Sequence, residues 1–70
     1  MERPDWFTTE MNATLLTLAA REKGNAADYA KRLKNNKDGD MVDFLTFLVE
    51  DAEKNVAALN EILRNLGGVL

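Results

Sequence analysis

One long apolar stripe constrains this chain more than any other feature of its sequence. Between residues 41 and 66, side chains at alternating steps of four and three residues are almost all apolar, which is the spacing of one face of an α-helix. The stripe consists of Met41, Leu45, Leu48, Ala52, Asn55, Leu59, Ile62 and Leu66. A second row lies beside it, made of Val42, Val49, Val56, Leu63 and Leu70. A stripe of this width is typical of a helix in a bundle core rather than of a two-stranded coiled coil.

The residues that flank the stripe favour one continuous helix over residues 41–66. Asp40 is placed to accept hydrogen bonds from the first-turn amides, and Gly67 is suited to the left-handed conformation that ends many helices. A helix of this length extends roughly 39 Å at 1.5 Å per residue. A single short helix cannot cover it.

The amino-terminal half predicts a second amphipathic helix that begins near residue 8. Its apolar side is formed by Phe7, Met11, Leu15, Leu18 and Ala19, whereas Asn12, Thr14 and Thr17 mark its more polar side. Gly24 and Asn25 leave two alternatives open. Either a helix over residues 8–23 ends there and a short helix follows over residues 26–35, or one helix runs through residues 8–34, because a helical glycine costs only about 1 kcal/mol relative to alanine.

Both alternatives are all-α, and both predict one domain over residues 1–70. A chain of 70 residues buries only about 60 to 65% of the surface of its unfolded form, so its stability margin is small. The sequence contains no cysteine that would form disulfides. We therefore expect a small helical bundle of two or three helices with one long carboxy-terminal helix, completed by homodimerisation.

Composition argues against catalysis. The chain lacks histidine, serine, glutamine and cysteine, and with them the commonest general base and the commonest nucleophiles. We expect no enzymatic activity, no cofactor and no metal.

No segment has the roughly 20 apolar residues of a membrane span, and the first residues do not resemble a signal peptide. A cytoplasmic protein is the expectation, although the missing cysteines fit secretion as well.

Charge is unevenly distributed along the chain, which has a formal net charge of −3. Residues 21–37 contain six basic and two acidic side chains, a net charge of +4, whereas residues 38–61 contain one basic and seven acidic side chains, a net charge of −6. Two interpretations follow. The basic segment pairs with the start of the acidic helix, or it contacts nucleic-acid phosphates through Lys31, Arg32, Lys34 and Lys37.

The segment over residues 41–49 is apolar nearly all round, since only Asp43 and Thr46 are polar. A helix of this kind is normally buried on several sides. Either the amino-terminal half of the chain wraps this end on both sides or a second chain covers it, which is another copy or a different protein. The predicted interface residues are Trp6, Phe7, Met41, Phe44, Phe47 and Leu48. The sequence thus favours a non-enzymatic protein–protein interaction module, such as a homodimeric helical adaptor, inhibitor or assembly factor. The alternative is a small nucleic-acid-binding regulator that uses the basic segment 31–37.

Overall fold

The computed structural model describes residues 3–68 and shows two long α-helices that pack against each other as a hairpin. Helix α1 spans Thr9–Lys34 and helix α2 spans Gly39–Asn65. A four-residue loop, 35–38, joins them, and the molecule measures 50 × 15 × 13 Å. The predicted all-α class and the long carboxy-terminal helix are confirmed.

Helix α1 continues through Gly24 without a break. The alternative with a separate short helix over residues 26–35 is therefore wrong, and the two-helix alternative is the one observed. The apolar register explains why. Glu22, Ala26, Tyr29 and Leu33 continue the stripe of the first half, so an unbroken helix keeps packing against α2 along its whole length. This packing offsets the cost of about 1 kcal/mol for one helical glycine.

Side-chain oxygens cap the start of each helix. The Met11 amide donates to the Thr8 hydroxyl at 3.1 Å, which satisfies one of the unpaired first-turn donors of α1. The cap of α2 is Asp38 rather than the predicted Asp40. Its carboxylate accepts from the amides of Asp40 at 2.9 Å and Met41 at 3.3 Å, so the helix begins two residues earlier than expected.

Helix α2 ends in a turn that requires glycine. Gly67 has a positive φ of 71°, its amide donates to the Arg64 carbonyl at 3.1 Å, and the Gly68 amide donates to the Leu63 carbonyl at 2.7 Å. These two bonds are those of a Schellman motif. A Cβ atom at Gly68 would collide with the Asn12 side chain and with Leu63, so the turn lies directly against α1.

The core is a narrow seam between the two helices. Its buried residues are Phe7, Asn12, Ala19, Leu45, Ala52 and Leu63. Leu45 and Ala52 confirm the first predicted stripe, and Leu63 confirms the second row, but Met41 and Ile62 of the first stripe are exposed. Assigning Asn12 to the polar side of its helix was wrong, since it is buried next to the carboxy-terminal turn. Leu70 lies outside the described residues.

Gly24→Ala tests the cost of the helical glycine. A Cβ at Gly24 meets no atom within 4 Å, so we expect the variant to be more stable by about 1 kcal/mol, or roughly 4–8 °C in melting temperature. Thermal unfolding followed by circular dichroism measures it. Gly67→Ala is the matched control and is expected to lose about 1–2 kcal/mol, because its φ is left-handed. An unchanged or lower melting temperature for Gly24→Ala would contradict this account.

Leu63→Ala tests the seam. Leu63 is the largest fully buried side chain of residues 3–68, and removing it is expected to cost about 2–5 kcal/mol, a large part of the stability of a chain this small. Chemical denaturation measures the loss. The exposed control Lys54→Ala should remain within about 0.5 kcal/mol of the parent. Similar midpoints for the two variants would show that the seam is assigned incorrectly.

Candidate protein-interaction surface

Large apolar side chains remain uncovered along one side of the hairpin, which we call the apolar face. On α1 they recur at helical spacing and comprise Met11, Leu15, Leu18 and Tyr29. On α2 and its carboxy-terminal cap they comprise Phe44, Leu48, Leu59, Ile62 and Leu66. Met11, Leu18, Phe44 and Ile62 are exposed, and the other five are half-buried.

Contacts between the helices show that the two stripes lie on the same side. Leu18 and Leu59 line one shallow hollow, and Met11 and Leu66 line another. Between the middles of the helices, Asn55 bonds to Glu22. In each of these pairs the two residue numbers sum to 77, so one constant antiparallel register brings the stripes together. The same register places Tyr29 level with Leu48 near the loop.

A small group of polar side chains interrupts the apolar face halfway along, and we call it the polar centre. It consists of Glu22, Asn25, Asp51 and Asn55. The Asn25 amide donates to one Glu22 oxygen at 3.2 Å, and the Asn55 amide donates to the other at 3.2 Å. The Asn55 amide also donates to Asp51 at 3.4 Å. Amide donors therefore satisfy both oxygens of a half-buried carboxylate, which reduces the cost of placing it there.

The end of the apolar face near the chain termini is concave. A hollow of about 630 Å³ is lined by Trp6, Phe7, Thr8, Glu10, Met11, Thr14, Leu15 and Leu66. Phe7 is the most buried of these residues and is only 3% exposed. The Trp6 ring meets Phe7 edge-on at 6.1 Å, and the Arg3 guanidinium lies 5.4 Å from the centre of the Phe7 ring. This end offers an apolar recess with an aromatic rim.

The six predicted interface residues differ in exposure and do not all lie on the apolar face. Phe44 is 55% exposed and lies on the apolar face, with Met41 exposed and Leu48 half-buried beside it at helical spacing. Phe47 is 63% exposed but lies about 60° farther round α2, outside that face. Trp6 is exposed at the opposite end of the hairpin, at the rim of the recess. Phe7 is already buried by its own chain and leaves no surface for a partner.

The predicted phosphate-contacting residues gather at the loop end of the hairpin. Arg32 is paired with Asp28 at 3.0 Å, one turn away on the same helix. Lys31, Lys34 and Lys37 form no ion pair with any residue of the described chain. The other ion pair in residues 3–68 joins Arg64 to Glu61, also within one helix, so direct pairing of the basic segment with the acidic helix is not observed.

Sequence reasoning missed the polar centre, although its signal was present. Glu22 and Asn55 are the polar members of two otherwise apolar stripes. A polar residue at a stripe position is expected either to face solvent or to bond across the seam, and the pattern along one helix does not distinguish these outcomes. Only the antiparallel register brings the two residues together.

Comparisons with protein-family models, with curated proteins and with solved structures returned no match. Among residues 3–68, no helix has the length and hydrophobicity needed to cross a bilayer. Within the same part of the chain, no three acidic side chains are arranged to hold a metal ion. The case for function therefore depends on the surface of the hairpin itself.

A double-mutant cycle measures the bond that spans the helices. Glu22→Ala, Asn55→Ala and the double variant are expected to give a coupling energy of about 0.5–1.5 kcal/mol, the usual net contribution of one hydrogen bond, because partial exposure to water weakens the effect of the charged acceptor. The control cycle pairs Glu22 with Asn25 on the same helix and should give only about 0.2–0.5 kcal/mol. A coupling of zero between Glu22 and Asn55 would remove the polar centre as a contact between helices.

Proposed function

We propose that this chain is a non-enzymatic protein–protein interaction module, a homodimeric helical adaptor, inhibitor or assembly factor that binds through its apolar face. The observation that supports it best is the exposure of Met11, Leu18, Phe44 and Ile62 on one side of the hairpin. Isolated exposed apolar residues are normal, but a contiguous set that spans a whole face is typical of an interaction site.

The accessible area of the chain exceeds that expected for a monomer by about the area that one partner would bury. The single hairpin exposes 5251 Å², whereas a folded monomer of its mass, 7.8 kDa, is expected to expose about 4,400 Å². The excess is about 900 Å², and a stable interface buries about 800 Å² on each partner. An excess of this size supports the burial of the apolar face by one additional hairpin.

Two antiparallel helices form a single layer, and a layer with an apolar face is stable when a second layer covers it. Two hairpins joined in this way make a four-helix bundle, in which stripes as wide as those of α1 and α2 become the core. Binding would then occur by burial of a helix face with Phe44 as an aromatic anchor, without cofactor or chemistry.

The nucleic-acid alternative is supported by one observation, that Lys31, Lys34 and Lys37 form no ion pair within residues 3–68. Against it, Asp38, Asp40 and Asp43 lie at the same end of the hairpin, and a phosphate backbone would be repelled by them. Titration with random duplex DNA at decreasing salt separates the two functions. Tight binding at low salt that weakens steeply as salt rises would favour the regulator, and no binding at low salt would remove it.

Dimerisation through the apolar face is tested by two phenylalanines of similar exposure. Sedimentation across a dilution series is expected to show a dimer that dissociates reversibly. Phe44→Ala should raise its dissociation constant about 10- to 100-fold, because Phe44 lies on the apolar face. Phe47→Ala is the matched control, since that residue lies outside the face, and its effect should be less than about threefold.

Two results would contradict this proposal. A mass that stays monomeric at every concentration would exclude the homodimer. Equal weakening by Phe44→Ala and Phe47→Ala would show that the interface is centred on another side of α2. Circular dichroism of both variants confirms that the hairpin itself is intact, which is expected because both side chains are exposed.

A further inference from the structure

We propose that the two copies pair antiparallel, with the loop end of each hairpin over the terminal end of the other and the two-fold axis through the polar centre. This inference rests on the proposed function and specifies its geometry. A face-to-face dimer has two simple orientations, parallel and antiparallel, and three features of the apolar face favour the second.

The first feature is shape. The terminal end of the face is concave, with the 630 Å³ hollow rimmed by Trp6, Met11 and Leu66. The loop end instead presents the exposed side chains of Met41 and Phe44. Parallel pairing would gather both hollows at one end of the dimer and both protruding ends at the other, and unfilled apolar space forfeits packing contacts. Antiparallel pairing brings a protruding end over each hollow.

The second feature is register along α2. An axis that crosses the polar centre passes level with residue 53, midway between 51 and 55. Phe44 lies nine residues before this level and Ile62 lies nine residues after it, both exposed on the apolar face. An antiparallel two-fold therefore places Phe44 of each copy opposite Ile62 of the other. In this arrangement the exposed side chains of Phe44 and Ile62 bury each other in both halves of the dimer.

The third feature is hydrogen-bonding complementarity at the axis. The same operation places Asp51 of one copy opposite Asn55 of the other, so a carboxylate faces an amide. On α1 the corresponding level is residue 24, close to the midpoint of Glu22 and Asn25, so Glu22 of one copy comes within one residue of the level of Asn25 of the other. A shift along the helices would bring these carboxylates against apolar side chains, where unpaired charge is costly. The polar centre therefore sets the register of the dimer as well as that of the hairpin.

Distances between spin labels test the orientation. The chain has no cysteine, so Lys37→Cys in the loop gives one label per copy. Residue 37 lies 16 residues from the axis, and at 1.5 Å per residue the antiparallel dimer predicts a separation of about 45–50 Å. A label at Lys54→Cys, next to the axis level, should give less than about 25 Å, since facing helices are 8–10 Å apart. Both positions are exposed, so the labels should not disturb the fold.

Each outcome is decisive. A long distance at residue 37 with a short one at residue 54 supports the antiparallel dimer. A distance under about 25 Å at residue 37 in a sample with dimer mass overturns the orientation but leaves the proposed function intact. Absence of dipolar coupling together with a monomeric mass overturns both.

The role of the polar centre has its own test. Asn55→Leu removes the donor that faces the carboxylates, and we expect the dimer to persist while the distance distribution at residue 37 becomes broad or divides into two populations. Should this variant lose helicity, Asn25→Leu is the substitute, because Asn25 is exposed and bonds only within α1. An unchanged, narrow distribution in the folded variant would show that apolar packing alone sets the register.

Discussion

The seam between α1 and α2 is the contact on which the rest of this structure depends. Ala19 and Ala52 are buried there, and side chains this small permit close approach of two helices, while Leu45 and Leu63 fill the space between them. Two helices can bury only the sides that they turn toward each other. Because the apolar stripes are wider than that contact, a single hairpin leaves part of each stripe in water, and this incomplete burial is the physical basis of the proposed interaction.

The polar centre shows how such a hairpin limits the ways in which it can pair. Glu22 accepts hydrogen bonds from Asn25 and Asn55, and the second of these bonds links the two helices. A carboxylate in this position adds little to stability, since its desolvation offsets the gain from its hydrogen bonds. Its effect is on specificity, because any other register would remove the Asn55 donor and leave one oxygen of the carboxylate without its partner. Apolar surface supplies the driving force, and a few polar atoms select one arrangement.

Several elements were predictable from local rules. The helical spacing over residues 41–66 required nothing beyond the 3.6-residue period, and the positive φ at Gly67 follows from the shape of a helix end. Local rules did not decide between two local structures of similar energy. Asp38 and Asp40 are both adequate caps, and Gly24 is compatible with a break or with a continuous helix. Packing over the whole length of α2 decided the second case.

By itself, the sequence determined that the chain is helical, where its apolar stripes lie, and that these stripes are too wide for one neighbour, because all three depend on the order of residues along one helix. Tertiary structure alone decided which polar residues meet. Asn12 is buried because the carboxy-terminal turn folds back on it, and Glu22 bonds to Asn55 because the antiparallel register sets them side by side. It also separated Phe44 from Phe47, since the position of α1 defines which side of α2 forms the apolar face. Contacts between residues distant in sequence depend on how the helices are arranged in space, and the periodicity of a single helix does not specify that arrangement.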